Sequence, residues 1–328
     1  MEAKGYYPAV SRLIKNDEGT ISVDLEVRRG RDVAAKIVTP DLKPAVGAKI
    51  ALGLAGVQIG IVGGKIDDGW THCDRRIADD AGLFQFPPQE KNFQLVITHP
   101  TGYANFPSEA EWDTVKLIRL EPWARVEGTF RIGQKLGANV PLRLEAPGRP
   151  EASRLAHIYN QYEATTGPDG RFVFDRVIPG RGWVGRRIML TVDDGAWDVT
   201  SANMVALDLP AGKTVTMDLG GTGRAVVGRL QPRDGFEGKV RWNFAMVTVN
   251  HDPPQKAAGS SYATVDRDGS FRIDDLPAGA YSLTVRSERD DVGILFQHPF
   301  QVPTPEDDPI TTPLDLGTLK LEVLVRRP

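Results

Sequence analysis

The groups in this 328-residue chain that could do chemistry are five histidines, one cysteine and a set of paired acidic residues. The histidines stand at 72, 99, 157, 251 and 298. None sits in a His-x-x-Glu or His-Glu-x-x-His spacing, which would bring two zinc ligands to one face. His72-Cys73-Asp74 is the tightest polar cluster. To activate the thiol an imidazole must reach the sulfur, and adjacent strand residues point to opposite sheet faces, so Cys73 is expected to be inert and half-buried. Gly63-Gly64-Lys65-Ile66 has the glycines and lysine of a phosphate loop, but Ile59 holds the first glycine position and Ile66 the Ser/Thr position. A hairpin turn accounts for those glycines. No Gly-x-Ser-x-Gly elbow is present.

Paired carboxylates recur at Asp67-Asp68, Asp79-Asp80, Asp193-Asp194, Asp290-Asp291 and Asp307-Asp308. Such pairs can hydrolyse glycosides or hold calcium, which takes about six to eight oxygens. Asp266-Arg267-Asp268-Gly269 opens like a calcium loop, yet no glutamate closes it, because Ser270 to Leu276 reads as a strand. Turn capping and solvation are the expected roles, with no metal site and no cofactor. Six tryptophans remain, at 70, 112, 123, 183, 197 and 242. Sugars stack their C–H faces on exposed rings, and Trp70 and Trp112 lie among turn-like polar residues, which makes them the candidate ligand-binding residues. Trp123, Trp183 and Trp242 adjoin strands and are expected to fill cores.

The elements that would position these groups announce themselves by repetition. An acidic turn, a glycine and an alternating strand recur at Asp79 to Phe86, Pro168 to Asp175 and Arg267 to Asp274. Their glycines, Gly82, Gly170 and Gly269, are 88 (170−82) and 99 (269−170) residues apart, the size of one small β-sandwich. A second landmark keeps step: Gly128 and Gly228 are 100 residues apart (228−128). Each unit opens with a strand, turns, and runs a second strand: Asp32 to Val38 then Val46 to Leu52, Ala124 to Ile132 then Asn139 to Leu144, Arg224 to Leu230 then Gly238 to Trp242. Two period-two runs around a Pro/Asp turn predict a hairpin. Helix evidence is confined to Glu151 to Tyr162, where Leu155, Ile158, Tyr159 and Tyr162 suit a short helix or an irregular connection.

Composition agrees. With 41% hydrophobic and 25% charged residues the chain can bury ordinary cores, and 34 glycines and 24 prolines suit many strands and tight turns. Lys/Arg against Asp/Glu number 15 to 16 over residues 1–120, 12 to 12 over 121–220 and 13 to 15 over 221–328. No part is basic, so nucleic acid is not an expected partner. A single cysteine excludes an intrachain disulfide and leaves the compartment open. Met1 to Tyr7 lacks the apolar core of a secretory signal. The longest uncharged run, Ile50 to Gly64, is too short to span a bilayer, so no membrane insertion is expected. The short linkers Leu120-Glu121-Pro122 and Leu219 to Gly223 predict units in a string, not one merged core.

The motif Asp-Gly-x-Phe-x-Phe/Ile-Asp-x-Leu/Val-x-Pro-Ala/Gly-Gly-x-Tyr, after a strand ending Val-x-Gly-x-Val/Phe, resembles the carboxypeptidase regulatory-like domain. That domain is a transthyretin-like sandwich of the carbohydrate-binding-like fold group. The third unit matches through Asp268, Gly269, Phe271, Ile273, Leu276, Pro277, Gly279 and Tyr281. The second matches through Asp169, Gly170, Phe172, Phe174, Val177, Pro179 and Gly180, with Trp183 near the usual tyrosine. The first matches in Lys43 to Ile50 and departs at Pro87-Pro88. The resemblance implies arrays of such modules in large bacterial proteins, working outside the cytoplasm, and implies that this chain is a segment or truncated relative of one.

The expected architecture is therefore all-β: a tandem array of three Ig-like or transthyretin-like β-sandwich domains at 1–120 (divergent, with an N-terminal extension), 121–220 and 221–328. The expected function is a non-catalytic scaffold or interaction module. The alternative is a carbohydrate-binding module using Trp70 and Trp112. The partner is accordingly a protein or a polysaccharide.

Overall fold

The computed structural model describes residues 5–7, 9, 11–69, 71–90, 92–108, 117–146, 155–193, 196–253, 260–287, 289, 291–304 and 312–323, with backbone alone at 190–193, 196–199 and 203. Its regular elements are strands; a single 3-10 turn, Trp242–Phe244, is the only helical element among the described residues. The chain begins with β1 (Val33–Val38), β2 (Lys49–Leu54), β3 (Gln58–Val62), β4 (Lys65–Ile66) and β5 (Asp74–Ile77). There follow β6 (Leu83–Phe86), β7 (Phe93–His99), β8 (Gly102–Pro107) and β9 (Leu117–Arg119). The middle region has β10 (Ala124–Ile132), β11 (Lys135–Leu136), β12 (Pro141–Glu145) and β13 (His157–Thr165). It continues with β14 (Arg171–Val177), β15 (Gly180–Asp193), β16 (Ala196–Leu209) and β17 (Thr214–Gly220). The last region has β18 (Arg224–Gln231), β19 (Met246–His251), β20 (Ser261–Thr264) and β21 (Ser270–Leu276). It ends with β22 (Gly279–Arg286), β23 (Ile294–Val302) and β24 (Leu314–Lys320).

One pairing plan recurs along the chain. The opening strand of each region (β1, β10, β18) lies between the strand after the Asp-Gly turn (β6, β14, β21), antiparallel, and the closing strand (β9, β17, β24), parallel. The facing sheets run β5-β2-β7-β8, β13-β12-β15-β16 and β20-β19-β22-β23. Opening and second strands therefore belong to opposite sheets, and their connection arches over the core. The predicted hairpins are corrected on this point: both strands bury one face on the same core, so they pack across it and do not pair. In the third region the second strand is Met246–His251, not Gly238 to Trp242; Trp242 instead fills the core beneath the 3-10 turn.

The repeated Asp-Gly turn has one mechanical cause. Gly82, Gly170 and Gly269 all have positive φ (75°, 73° and 87°). Their carbonyls accept from Ile37, Phe130 and Leu230 of the opening strand at 2.7, 2.8 and 2.8 Å. A Cβ there would come within 2.4 to 2.8 Å of the carbonyl oxygens of those same residues, so only glycine fits. The aspartate caps the turn: Asp79, Asp169 and Asp268 accept through Oδ1 from the backbone N–H of Leu83, Arg171 and Ser270 at 2.8 to 3.2 Å.

Two expectations fail. The candidate helix is a strand over 157–165, while 151–154 lie outside the described residues. Ile158 and Tyr162, both buried, are four apart, a spacing that serves a two-residue period as well as a helical one. Pairing with β12 on one side and β3 on the other decides for the strand. The second is a plain string of units: the first region keeps a core of its own between its sheets (Val33, Ile37, Ile50, Phe84, Leu95 and Ile118), but it also packs against the middle region. Hairpin β3–β4, from the first region, adds in parallel to β13 and makes a six-stranded sheet with the middle region. Its Ile59, Ile61 and Ile66 share one core with Ala51 and Val96 of the first region and Leu142, Ile158 and Tyr162 of the middle region. The last region keeps a core of its own.

Candidate functional site

Charged groups meet glycine backbone where the middle and last regions join. Strand β17 buries Leu219 and ends at Gly220, and the chain turns through Gly220 and Gly221 (φ 75° and 82°) towards β18. A bulge in β21 opposite Arg224–Val226 puts Asp275 in the left-handed region (φ 59°) and turns its carboxylate into this linker. Asp275 accepts from Gly221 N at 2.6 Å and from Gly223 N at 2.9 Å, and is 4% exposed. A Cβ on Gly220 would meet Arg131 O at 2.3 Å and Asp275 Oδ2 at 2.4 Å; one on Gly223 would meet the Asp275 backbone at 2.3 Å. The linker glycines are therefore demanded by close packing, and the joint is clamped.

Charges around the clamp are paired across it. Asp274 accepts from Arg186 of β15 at 3.1 Å and from Arg272 at 2.6 Å. Arg224, 2% exposed, donates through Nε to Thr312 O at 3.0 Å. Burial raises the Asp275 carboxyl above its ordinary value, and the Asp274 charge adds to that; the N–H groups of Gly223, Gly221 and Gly133 act the other way. An open cleft of about 600 Å³ flanks the clamp, walled by Gly133, Lys135, Leu136, Arg272, Asp274 and Asp275. A smaller one of about 130 Å³ lies beside it against Met204, His251 and Tyr281. Tyr281 donates to Pro277 O at 3.0 Å and its ring lies between His251 (4.7 Å) and Phe300 (5.6 Å). The arrangement ties the middle region to the last, with Asp274 paired to Arg186 and Asp275 bonded to the linker backbone.

The residues singled out by sequence fall as follows. Trp70 and Trp112 lie outside the described residues. Trp123 and Trp242 are buried, the former donating to His99 O at 2.8 Å, while Trp183 is half-buried. Cys73 is half-buried, and burial, aided by Asp74, pushes its thiol up to about 11. Asp268, in the calcium-like turn, spends its carboxylate on Ser270 N and Ser270 Oγ (2.7 Å), bonds that lower its pKa. Among the described residues no group of three or more His, Cys, Asp or Glu could hold a metal ion. No helix among them is long and apolar enough to cross a membrane. Sequence reasoning missed the Asp275 clamp. Its signals were the second aspartate of Asp274-Asp275 and a linker in which three of five residues are glycine.

No family model matches the chain, and no curated protein matches it. Solved structures do. One is a Pseudomonas aeruginosa protein provisionally described as carbohydrate-binding, 15% identical, covering 30% of this chain and 88% of its own, with a TM-score of 0.20. Another is the minor pilin GBS52 of Streptococcus agalactiae, 10% identical, covering 62% and 99%, TM-score 0.24. A third is the major pilin subunit of Bacillus cereus, 10% identical, covering 90% and 99%, TM-score 0.21. Superposition at these TM-scores is too loose to carry an argument, and the all-β sandwich architecture rests on the strand pairing of this chain itself.

Proposed function

We propose that this protein is a non-catalytic structural and interaction module. Three transthyretin-like sandwiches at 1–120, 121–220 and 221–328, akin to the carboxypeptidase regulatory-like domain, hold neighbouring partners at fixed spacing outside the cytoplasm. The observation that carries this reading is the joint. Polar groups that a catalyst would aim at a substrate are here turned on the chain's own linker, as Asp275 is on Gly221 and Gly223. The recurrent pairing plan supports the three units, and the parallel addition of β3 to β13 supports a fixed placement of the first two. Small-angle scattering tests it: one rigid arrangement is expected for the intact protein, and Asp275→Ala is expected to broaden it by releasing the last unit.

The second reading is a carbohydrate-binding module with Trp70 and Trp112 as the stacking residues. Burial of Trp123 and Trp242 (9% and 7% exposed) removes those two from any sugar face. Tryptophan fluorescence during titration with soluble polysaccharides separates the readings. A saturable change abolished by Trp70→Ala or Trp112→Ala favours binding; a flat response favours the scaffold.

A further inference from the structure

Residues 20–25, Thr-Ile-Ser-Val-Asp-Leu, repeat the sequence of a closing strand without having a sandwich to close. Their counterpart is Thr214-Val215-Thr216-Met217-Asp218-Leu219 in β17. There Val215, Met217 and Leu219 face the core and Thr214, Thr216 and Asp218 face out. The spacing to the next unit also matches. Leu25 precedes the buried Val33 of β1 by eight residues (33−25), as Ile118 precedes Val126 (126−118), and Leu219 precedes Val226 by seven (226−219). Ile118, Leu219 and Leu319 are the buried residues that pair with Ile37, Phe130 and Leu230 of the opening strands. A glycine at φ 67° precedes each segment, Gly19 directly before Thr20 and Gly212 two residues before Thr214.

Yet residues 20–25 form no strand, and no hydrogen bond ties their backbone to any described residue. Val23 and Val27 are left 40% and 41% exposed, where alternation of Ile21, Val23, Leu25 and Val27 would bury one face. Among the described strands, β1, β10 and β18 each already have a partner on both sides. The first unit is also open at β5, which pairs only with β2, although the corresponding β13 receives a neighbour's hairpin on its outer edge. Ile77 of β5 is 67% exposed there.

We infer that residues 20–25 are a closing strand for another β-sandwich of this same plan, one whose opening strand is unpaired. The segment adds to that strand in parallel, with Ile21, Val23 and Leu25 entering its core as Val215, Met217 and Leu219 enter theirs. The inference rests on the scaffold reading and extends it: the partner is a like sandwich.

Two measurements on the full chain test it. In the unmodified protein, amide exchange at residues 20–25 is expected within about tenfold of unstructured rates; protection above about a hundredfold would overturn the inference, since the strand would already be paired. In a graft, residues 214–219 take the sequence of 20–25 (Val215→Ile, Thr216→Ser, Met217→Val), and a control takes 21–26, which turns Ser, Asp and Glu inward. The in-register graft is expected to melt within about 4 °C of the parent and the shifted one more than about 10 °C lower. Equal losses in both would overturn the inference. Either failure would leave the scattering test of the scaffold reading untouched.

Discussion

At Asp275, folding buries a carboxylate at the edge of a cleft and gives it two backbone N–H partners. Burial outweighs those bonds, so its pKa stands above the ordinary 3.8. The folded chain thus binds this proton more tightly than the unfolded chain. Its contribution to stability is full below pH 3.8 and is lost as pH rises through the elevated value. Asparagine tolerates the left-handed backbone and does not titrate there. The melting temperature of the parent relative to Asp275→Asn should therefore fall between pH 4 and pH 7; a constant difference would contradict the assignment. Asp275→Ala should cost about 2–4 kcal/mol, because it strands two buried N–H groups and strains the φ of 59°. Denaturant titration reads that loss. The clamp was hard to read from sequence because nothing in Asp274-Asp275 says which carboxylate a bulge turns inward.

At the scale of elements, the Asp-Gly turns were legible because their cause is local. Gly170→Ala forces positive φ on a residue with a Cβ and drives that Cβ to 2.8 Å from Phe130 O, so a loss of about 1–3 kcal/mol is expected in urea unfolding. Sheet membership was not legible. The arch from β1 to β2 and a hairpin share the same alternation and the same Pro/Asp turn, and only packing across a common core separates them. The same holds for β13, where Ile158 and Tyr162 fit two periods and the partner strand arrives from about a hundred residues away (158−59). Ile61, fully buried in the core that this pairing creates, should lose about 2–5 kcal/mol on change to Ala. Calorimetry should show that loss as one shifted transition shared by the first two units.

For the whole molecule, the core boundaries predict cooperativity that the linkers alone did not suggest. The first unit has a core between its own sheets and joins the second in another across β3–β4, while the third has a core that neither shares. Two calorimetric transitions are expected, the larger belonging to residues 33–220; three would mean that the shared core adds no coupling. The periodic landmarks made the all-β array readable from sequence. The clamped joint was not, since Leu219 to Gly223 has the composition of a flexible linker and is held by a carboxylate more than fifty residues away (275−221). The most direct test of a rigid spacing module is small-angle scattering of the intact protein beside Asp275→Ala. The account predicts that one conformation fits the parent and that the variant requires a spread of orientations for the last unit. A parent curve that already demands that spread, unchanged in the variant, would contradict it.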